Sequence, residues 1–223
     1  PAPLVAQSPN QVWSWDITYL KAAIKGEYFY LYLFLDIFSR KIVGFEVYEK
    51  ESMDYSSMLL AKICEQESID KNQLTLHSDN GGSMKGATML ATLQKLGVVP
   101  SFSRPGVSDD NPFSESLFKT LKYCPGYPSG GFESIETART WVKRFADWYN
   151  HRHLHSGIKF VTPSQRHEGL DRAILIKRKK IYECSKQKNP HRWSGATRNW
   201  NFVGEVYLNH LQRSHAVNIK LAA

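Results

Sequence analysis

Three acidic residues of this 223-residue chain have settings that favour chemistry. Asp16 lies within a run of β-branched and aromatic residues, Asp79 follows a short apolar segment, and Glu115 lies on the polar face of an amphipathic segment. Taken singly, each is best explained as a surface acid, because most acidic side chains are exposed. The three acids indicate a functional site only if the fold brings their side chains together.

A pocket lined by three carboxylates points to a hard divalent cation. Like charges repel, so clustered carboxylates are tolerated at neutral pH mainly when a cation neutralises them. Oxygen ligands without a nearby thiolate favour Mg²⁺ or Mn²⁺ over Zn²⁺. Two such ions about 3.5 to 4 Å apart can hold the attacking and leaving oxygens of a displacement at phosphorus. Asp16, Asp79 and Glu115 therefore predict a metal site for phosphodiester transfer.

The order of the predicted elements could place these acids side by side. An antiparallel meander of three strands is predicted first, and two further strands each follow a segment with helical spacing, which implies parallel crossovers. These five strands cover residues 12–20, 28–35, 41–48, 74–78 and 98–102. We therefore expect an α/β fold with a mixed five-stranded sheet flanked by helices. If the first and fourth strands are neighbours, Asp16 and Asp79 are adjacent.

The glutamate belongs to a predicted helix that begins after the fifth strand. Asn111 is a suitable N-cap, and Pro112 suits the first helical position. Glu115, Lys119 and Lys122 then share one polar face. Asp36, at the end of the second strand, is predicted to make structural hydrogen bonds in a turn.

Composition excludes several classes of protein. The longest apolar run, 28–35, is far shorter than the roughly 20 residues that span a membrane, so we expect a soluble protein. Three scattered cysteines fit neither a disulfide framework nor a zinc knuckle, which favours a reducing compartment. The chain has no G-x-S-x-G elbow and no Walker-type loop. Its first residue, Pro1, suggests a fragment of a longer protein.

A change in composition near residue 170 predicts a domain boundary. The formal net charge is +8, and between residues 171 and 189 seven Lys or Arg residues face two acids. We expect a core over residues 1–170 and a small basic extension over residues 171–223. A solvated helix face would explain such a run, but phosphate binding through Arg178 and Lys179 suits a protein that handles nucleic acid.

Four segments of the chain resemble the integrase catalytic core of bacterial insertion-sequence transposases, which are cousins of retroviral integrases. These segments are residues 15–19, 35–44, 77–79 and 108–115. Between Asp79 and Glu115 lie 35 residues, the separation typical of this DDE group, and Lys122 follows where the family usually has a basic residue. The resemblance runs from about residue 12 to 163, and segments 148–150 and 189–193 extend it.

This resemblance implies an RNase H-like fold, in which Asp16, Asp79 and Glu115 hold two Mg²⁺ or Mn²⁺ ions when DNA is bound. The family cuts at the element's end to leave a 3′-hydroxyl, which then attacks a target phosphodiester. The resemblance also implies DNA contacts from Lys119, Lys122 and Asn111, a homodimer or higher assembly, and a location in the bacterial cytoplasm at the nucleoid.

The sequence departs from the family at a few positions and leaves two other functions open. Asn80 and His153 stand where relatives often have Arg, which concerns DNA contacts rather than metal ligands. The family's upstream helix-turn-helix is missing. The alternatives are an RNase H-like nuclease that never uses a DNA 3′-hydroxyl as nucleophile, and a non-catalytic DNA-binding remnant.

Overall fold

A five-stranded mixed sheet is the centre of the computed structural model, which describes residues 4–81, 85–104 and 111–208. The strand order is β4-β3-β2-β5-β6, and a separate two-stranded sheet pairs β1 with β7. The strands are β1 (Val5–Ala6), β2 (Val12–Lys21), β3 (Tyr28–Asp36), β4 (Ile42–Tyr48), β5 (Thr75–Ser78), β6 (Val99–Phe102) and β7 (Val206–Tyr207).

The strand pairing confirms the predicted sheet. β2 pairs antiparallel with β3, and β3 with β4, whereas β5 runs parallel to both β2 and β6. Ser14 of β2 lies opposite His77 of β5. Two residues further along each chain come Asp16 and Asp79, so the predicted first and fourth strands are neighbours and carry these acids in the same direction.

Helices cover both faces of the sheet, because the central strands are apolar on both sides. Trp13 and Trp15 pack on one face with α1 and α2, while Leu31 and Leu33 pack on the other with α3 and α4. The helices are α1 (Met53–Gln66), α2 (Ala87–Leu96), α3 (Pro112–Lys122), α4 (Ile135–His151), α5 (Pro163–His167) and α6 (Asp171–Lys188). No helix in the described ranges is both long enough and apolar enough to cross a bilayer.

The chain after residue 170 lies against the core at several places, of which two are the start of α6 and the strand β7. At the start of α6, buried Asp171 accepts a hydrogen bond from buried Arg166 at 3.2 Å. Further on, β7 pairs with β1, and Val206 and Leu208 pack near Phe38. Residues 209–223 of the predicted basic extension lie outside the described residues.

A polar network around Glu67 joins the end of α1 to two other elements. Its carboxylate accepts a hydrogen bond from Lys41 Nζ at 2.7 Å and lies 3.0 Å from His167 Nε2. Hydrogen bonding to His167, and then to Lys41, lowers the pKa of Glu67 to about 2, although burial acts in the opposite direction. The network therefore favours the ionised carboxylate.

This lowered pKa predicts a loss of stability in acid. The unfolded carboxyl titrates near 4.5, so the stabilisation from Glu67 is complete above that pH and is lost as the pH falls from about 4.5 to about 2. Glu67→Gln should lower the free energy of unfolding at pH 6 and lose less of it between pH 6 and pH 3 than the wild type does. Urea denaturation at both pH values measures this, and equal losses in the two proteins would contradict the prediction.

Candidate active site

The candidate site lies where β2 and β5 run side by side and α3 approaches them. Asp16 lies within β2 and is only partly exposed, Asp79 is the exposed residue directly after β5, and Glu115 is exposed in the first turn of α3. Asp79 Oδ1 accepts a hydrogen bond from the backbone N–H of Gly81 at 2.9 Å, which fixes the turn after the strand. Three separate elements thus deliver the three predicted acids.

Asp16 shares one electrostatic environment with the other two acids. Burial, with smaller contributions from the negative charges of Asp79 and Glu115, raises the pKa of Asp16 to about 7. A hydrogen bond from the Ile17 N–H, at 2.7 Å, and the charge of Lys122 act against this rise. At neutral pH the structure therefore holds a carboxylate whose charge is disfavoured, a situation that a cation would relieve.

The donor chemistry of this site suits a hard cation, but the trio is not gathered around one point. Across the described residues, no group of three or more His, Cys, Asp or Glu side chains is arranged to hold a metal ion. The structure thus brings Asp79 and Glu115 close enough to Asp16 to disfavour its charge, without the tight grouping that the sequence predicts. To share a cation as ligands, the three side chains would have to approach more closely.

Asn111 fastens the helix that carries Glu115 to the strand that carries Asp16. Its side chain is only 4% exposed. Asn111 Nδ2 donates to the carbonyl oxygen of Trp15 at 3.2 Å, and its Oδ1 accepts from the hydroxyl of Ser14. The Ser14 hydroxyl also lies 2.5 Å from that of Ser114. Asn111 begins α3 as predicted, but its predicted contact with DNA is corrected, because its amide is engaged inside the protein.

Sequence reasoning missed the two serines of this contact. Both are fully buried, and Ser14 is the polar residue between Trp13 and Trp15 in a strand whose neighbours are apolar. That interruption was the available signal, since a buried hydroxyl must find a hydrogen-bond partner.

Removing the Asn111 amide should loosen α3 against β2. Asn111→Ala leaves the Trp15 carbonyl and a serine hydroxyl buried without this partner, which costs about 1–3 kcal/mol of stability. Because small misplacements of reacting groups are costly, we also expect the DNA-joining rate per folded molecule to fall by about 10- to 100-fold. Urea denaturation and single-turnover joining rates measure the two effects. Ser116→Ala, on an exposed position of the same helix, is the control. An undiminished rate in Asn111→Ala would refute this positioning role.

Two lysines extend the candidate site along α3. Lys119 and Lys122 are both exposed in the last turns of the helix, as predicted. Although the side chain as a whole is exposed, partial burial of its ammonium group lowers the pKa of Lys122, and the charge of Asp16 opposes this shift. Lys122 therefore lies within electrostatic reach of Asp16.

Arg178 and Lys179 of α6, which were both predicted to contact phosphates, lie in different environments in the structure. Arg178 is partly buried, and its Nη1 donates to the carbonyl oxygens of Lys159 and Phe160, each at 2.9 Å. This guanidinium supports the turn before α5, and its contact with DNA stays a prediction. Lys179 is exposed.

Asp36 has the structural role that its position predicts. It is fully buried, and its carboxylate accepts hydrogen bonds from the backbone N–H groups of Ser39 and Asn10 and from the Ser39 hydroxyl, at 2.6 to 2.7 Å. All of its described contacts lie within the protein, so it is not a fourth candidate metal ligand.

Two family models match this chain, and both are described as an integrase core domain. They cover residues 6–108 and 96–163, and together they include all three acids of the candidate site. Residues 108–110 of the motif that precedes Glu115 lie outside the described residues.

Curated relatives with clear similarity are insertion-sequence transposases. The transposase for insertion sequence element IS904 of Lactococcus lactis is 31% identical over 71% of this chain and 61% of its own length. The transposase InsF for insertion sequence IS3A of Escherichia coli is 29% identical over 72% of this chain and 54% of its own length. The chain thus spans little more than half of the length of these relatives.

Solved structures with the same fold are retroviral. The HTLV-2 integrase catalytic core domain in complex with magnesium matches with a TM-score of 0.51 at 17% identity, over 72% of this chain and 97% of that one. The simian T-cell lymphotropic virus intasome, in complex with a regulatory subunit of PP2A, matches with a TM-score of 0.56 at 17% identity, over 75% of this chain and 58% of that one. The fold is therefore RNase H-like. Taken with the matched domain models and relatives, it makes this chain a member of the integrase core family of insertion-sequence transposases.

Proposed function

We propose that this chain is the catalytic core of a DNA transposase that cuts and joins DNA strands with the help of Mg²⁺ or Mn²⁺. The observation that carries the proposal is the electrostatic coupling of Asp16 to Asp79 and Glu115, at the place where β2 and β5 run parallel. Such coupled carboxylates are typical of sites that bind divalent cations and transfer phosphoryl groups.

In this proposal Asp16, Asp79 and Glu115 hold the divalent cation, with two ions when DNA is bound. The cation supplies a means to activate the attacking oxygen and to stabilise the leaving oxygen. Asp16 must lose its proton to act as a ligand, and its pKa of about 7 sets the pH near which this occurs in the metal-free protein. Lys122, within reach of Asp16, attracts a phosphate to the same place.

The proposed substrates are the ends of a mobile element and a target DNA. Lys119 and Lys122 contact backbone phosphates, while the region after residue 170 forms the basic extension along the DNA. Joining two ends to one target requires at least two active sites, so a homodimer or a larger assembly is the proposed working form. The proposed location is the bacterial cytoplasm, at the nucleoid.

A strand-transfer assay tests this function against its closest alternative. Pre-cut element ends are incubated with supercoiled target DNA in the presence of Mg²⁺ or Mn²⁺. A transposase core gives covalently joined products, because a DNA 3′-hydroxyl serves as the nucleophile. Cleavage of either DNA without any joined product, with both metals, would favour an RNase H-like nuclease. DNA binding without cleavage or joining would favour a non-catalytic remnant.

A further inference from the structure

A groove of about 320 Å³ lies between α6 and the segment of residues 200–202, outside the candidate active site. Arg172 and Lys179 of α6 line this groove, and Ile176 lies between them with 70% of its surface exposed. These positions are four and three residues apart, so they share one helix face. None of the described residues that line the groove is acidic.

Among the described residues, the two cations of the groove have no acidic partner that would offset their charge. The Arg172 guanidinium lies 4.4 Å from the ring centre of Phe202, and Lys179 Nζ lies 3.4 Å from the amide oxygen of Asn201. The acids of α6 are engaged elsewhere. Asp171 is buried against Arg166, and Glu183 accepts a hydrogen bond from the Thr197 hydroxyl. The groove therefore presents a positive charge that suits an anion.

Trp200 contributes an aromatic ring to the lining of the groove. Its side chain is 6% exposed and lines the groove, and its indole N–H has no hydrogen-bond acceptor in the part of the chain that the structure describes. A buried donor without an acceptor is costly. This N–H is shielded from solvent, so Trp200 supplies the groove with an apolar ring surface rather than with a hydrogen-bond donor.

We propose that this groove binds the sugar-phosphate backbone of DNA, an inference that rests on the proposed function and assigns a binding site to it. Arg172 and Lys179 are separated by seven residues, or roughly 10.5 Å along the helix axis. Each strand of duplex DNA carries one phosphate for about every 3.4 Å of the DNA helix axis, so two cations this far apart can meet different phosphates. Exposed Ile176 then faces the deoxyribose between them. Of the predicted phosphate contacts on α6, Lys179 belongs to this site.

The test compares two double variants that remove the same charge from the same helix. The first double variant, Arg172→Ala with Lys179→Ala, removes both cations from the groove. The second, Lys177→Ala with Lys180→Ala, removes two exposed lysines that do not line the groove. Fluorescence anisotropy measures the binding of a labelled duplex between 50 and 200 mM salt. For the groove variant, the slope of log affinity against log salt should be shallower by about 2, since each phosphate contact contributes about 0.9.

The control variant should change the slope by less than half as much, and Arg172→Lys with Lys179→Arg should preserve it. Equal changes of slope in the two alanine variants would overturn the proposal. DNA binding would then depend on the overall positive charge of the helix and not on the groove. A groove variant that binds DNA as the wild type does would also overturn it. Thermal unfolding of each variant checks that the fold is retained. The strand-transfer assay is scored separately, so a wild type that binds through the groove but never joins DNA refutes the proposed function alone.

Discussion

Replacing Asp79 by Asn should lower both strand cutting and strand joining by about 10³-fold or more, without loss of the fold. The substitution keeps the shape of the side chain and an oxygen that can still accept the hydrogen bond from Gly81 N–H. It removes one of the charges that a divalent cation needs, and losing a group that stabilises developing charge typically costs 10²- to 10³-fold or more. Asp79 is exposed, so stability should change little.

Single-turnover assays with pre-cut ends measure this effect, and Asp147→Asn is the matched control. Asp147 is an exposed acid of α4, on another element, and its loss changes the net charge equally. We expect the control to retain wild-type rates. Should Asp79→Asn keep more than a tenth of the wild-type rate, Asp79 would have no place in the mechanism.

Asp16→Asn should also abolish joining, yet it should stabilise the metal-free protein at pH 8. The pKa of Asp16 is about 7 in the fold, against an ordinary value of 3.8 for an aspartate carboxyl. The folded state therefore binds a proton that the unfolded state releases, and the stability linked to Asp16 is lost as the pH rises from about 4 through 7. The neutral amide avoids this loss, which amounts to roughly 2 to 4 kcal/mol for a partly exposed site.

Chemical denaturation in the presence of EDTA, at pH 5 and pH 8, measures the difference. Asp16→Asn should be more stable than the wild type at pH 8, and this advantage should be much smaller at pH 5. Added Mg²⁺ should stabilise the wild type at pH 8 and have less effect on the variant, because a ligand that binds only the folded state raises its stability. A wild type as stable as the variant at pH 8, without metal, would contradict the strained environment of Asp16.

The sheet was predictable from the sequence because its strands carry strong local signals. β3 is a continuous apolar run bounded by turn residues, which is typical of a central strand buried on both faces. The change from alternating to helical spacing after β4 required crossovers, and crossovers required parallel strands. That topology allowed the first and fourth strands to be neighbours, and the structure shows that they are, which brings Asp16 near Asp79.

Contacts between distant residues were not predictable in the same way. The position of Asn111 in the sequence is typical of a surface N-cap. Only the fold shows that its side-chain amide hydrogen-bonds to Ser14 and to the backbone of Trp15. Arg178 and Lys179 are adjacent in one basic run, but they point to different partners because a helix turns by about 100° per residue. The pairing of β1 with β7 joins two strands of two residues each, which are too short for any periodicity to predict.

The most direct test of the account is a crystal structure of the protein soaked with Mn²⁺, with anomalous diffraction to locate the ion. We expect at least one Mn²⁺ site bound by carboxylate oxygens of Asp16 and Asp79, with Glu115 turned towards it. An Asp79→Asn crystal should lose this signal. Strand joining in the same Mn²⁺ concentration, with no anomalous peak among these three side chains, would contradict the proposed metal site.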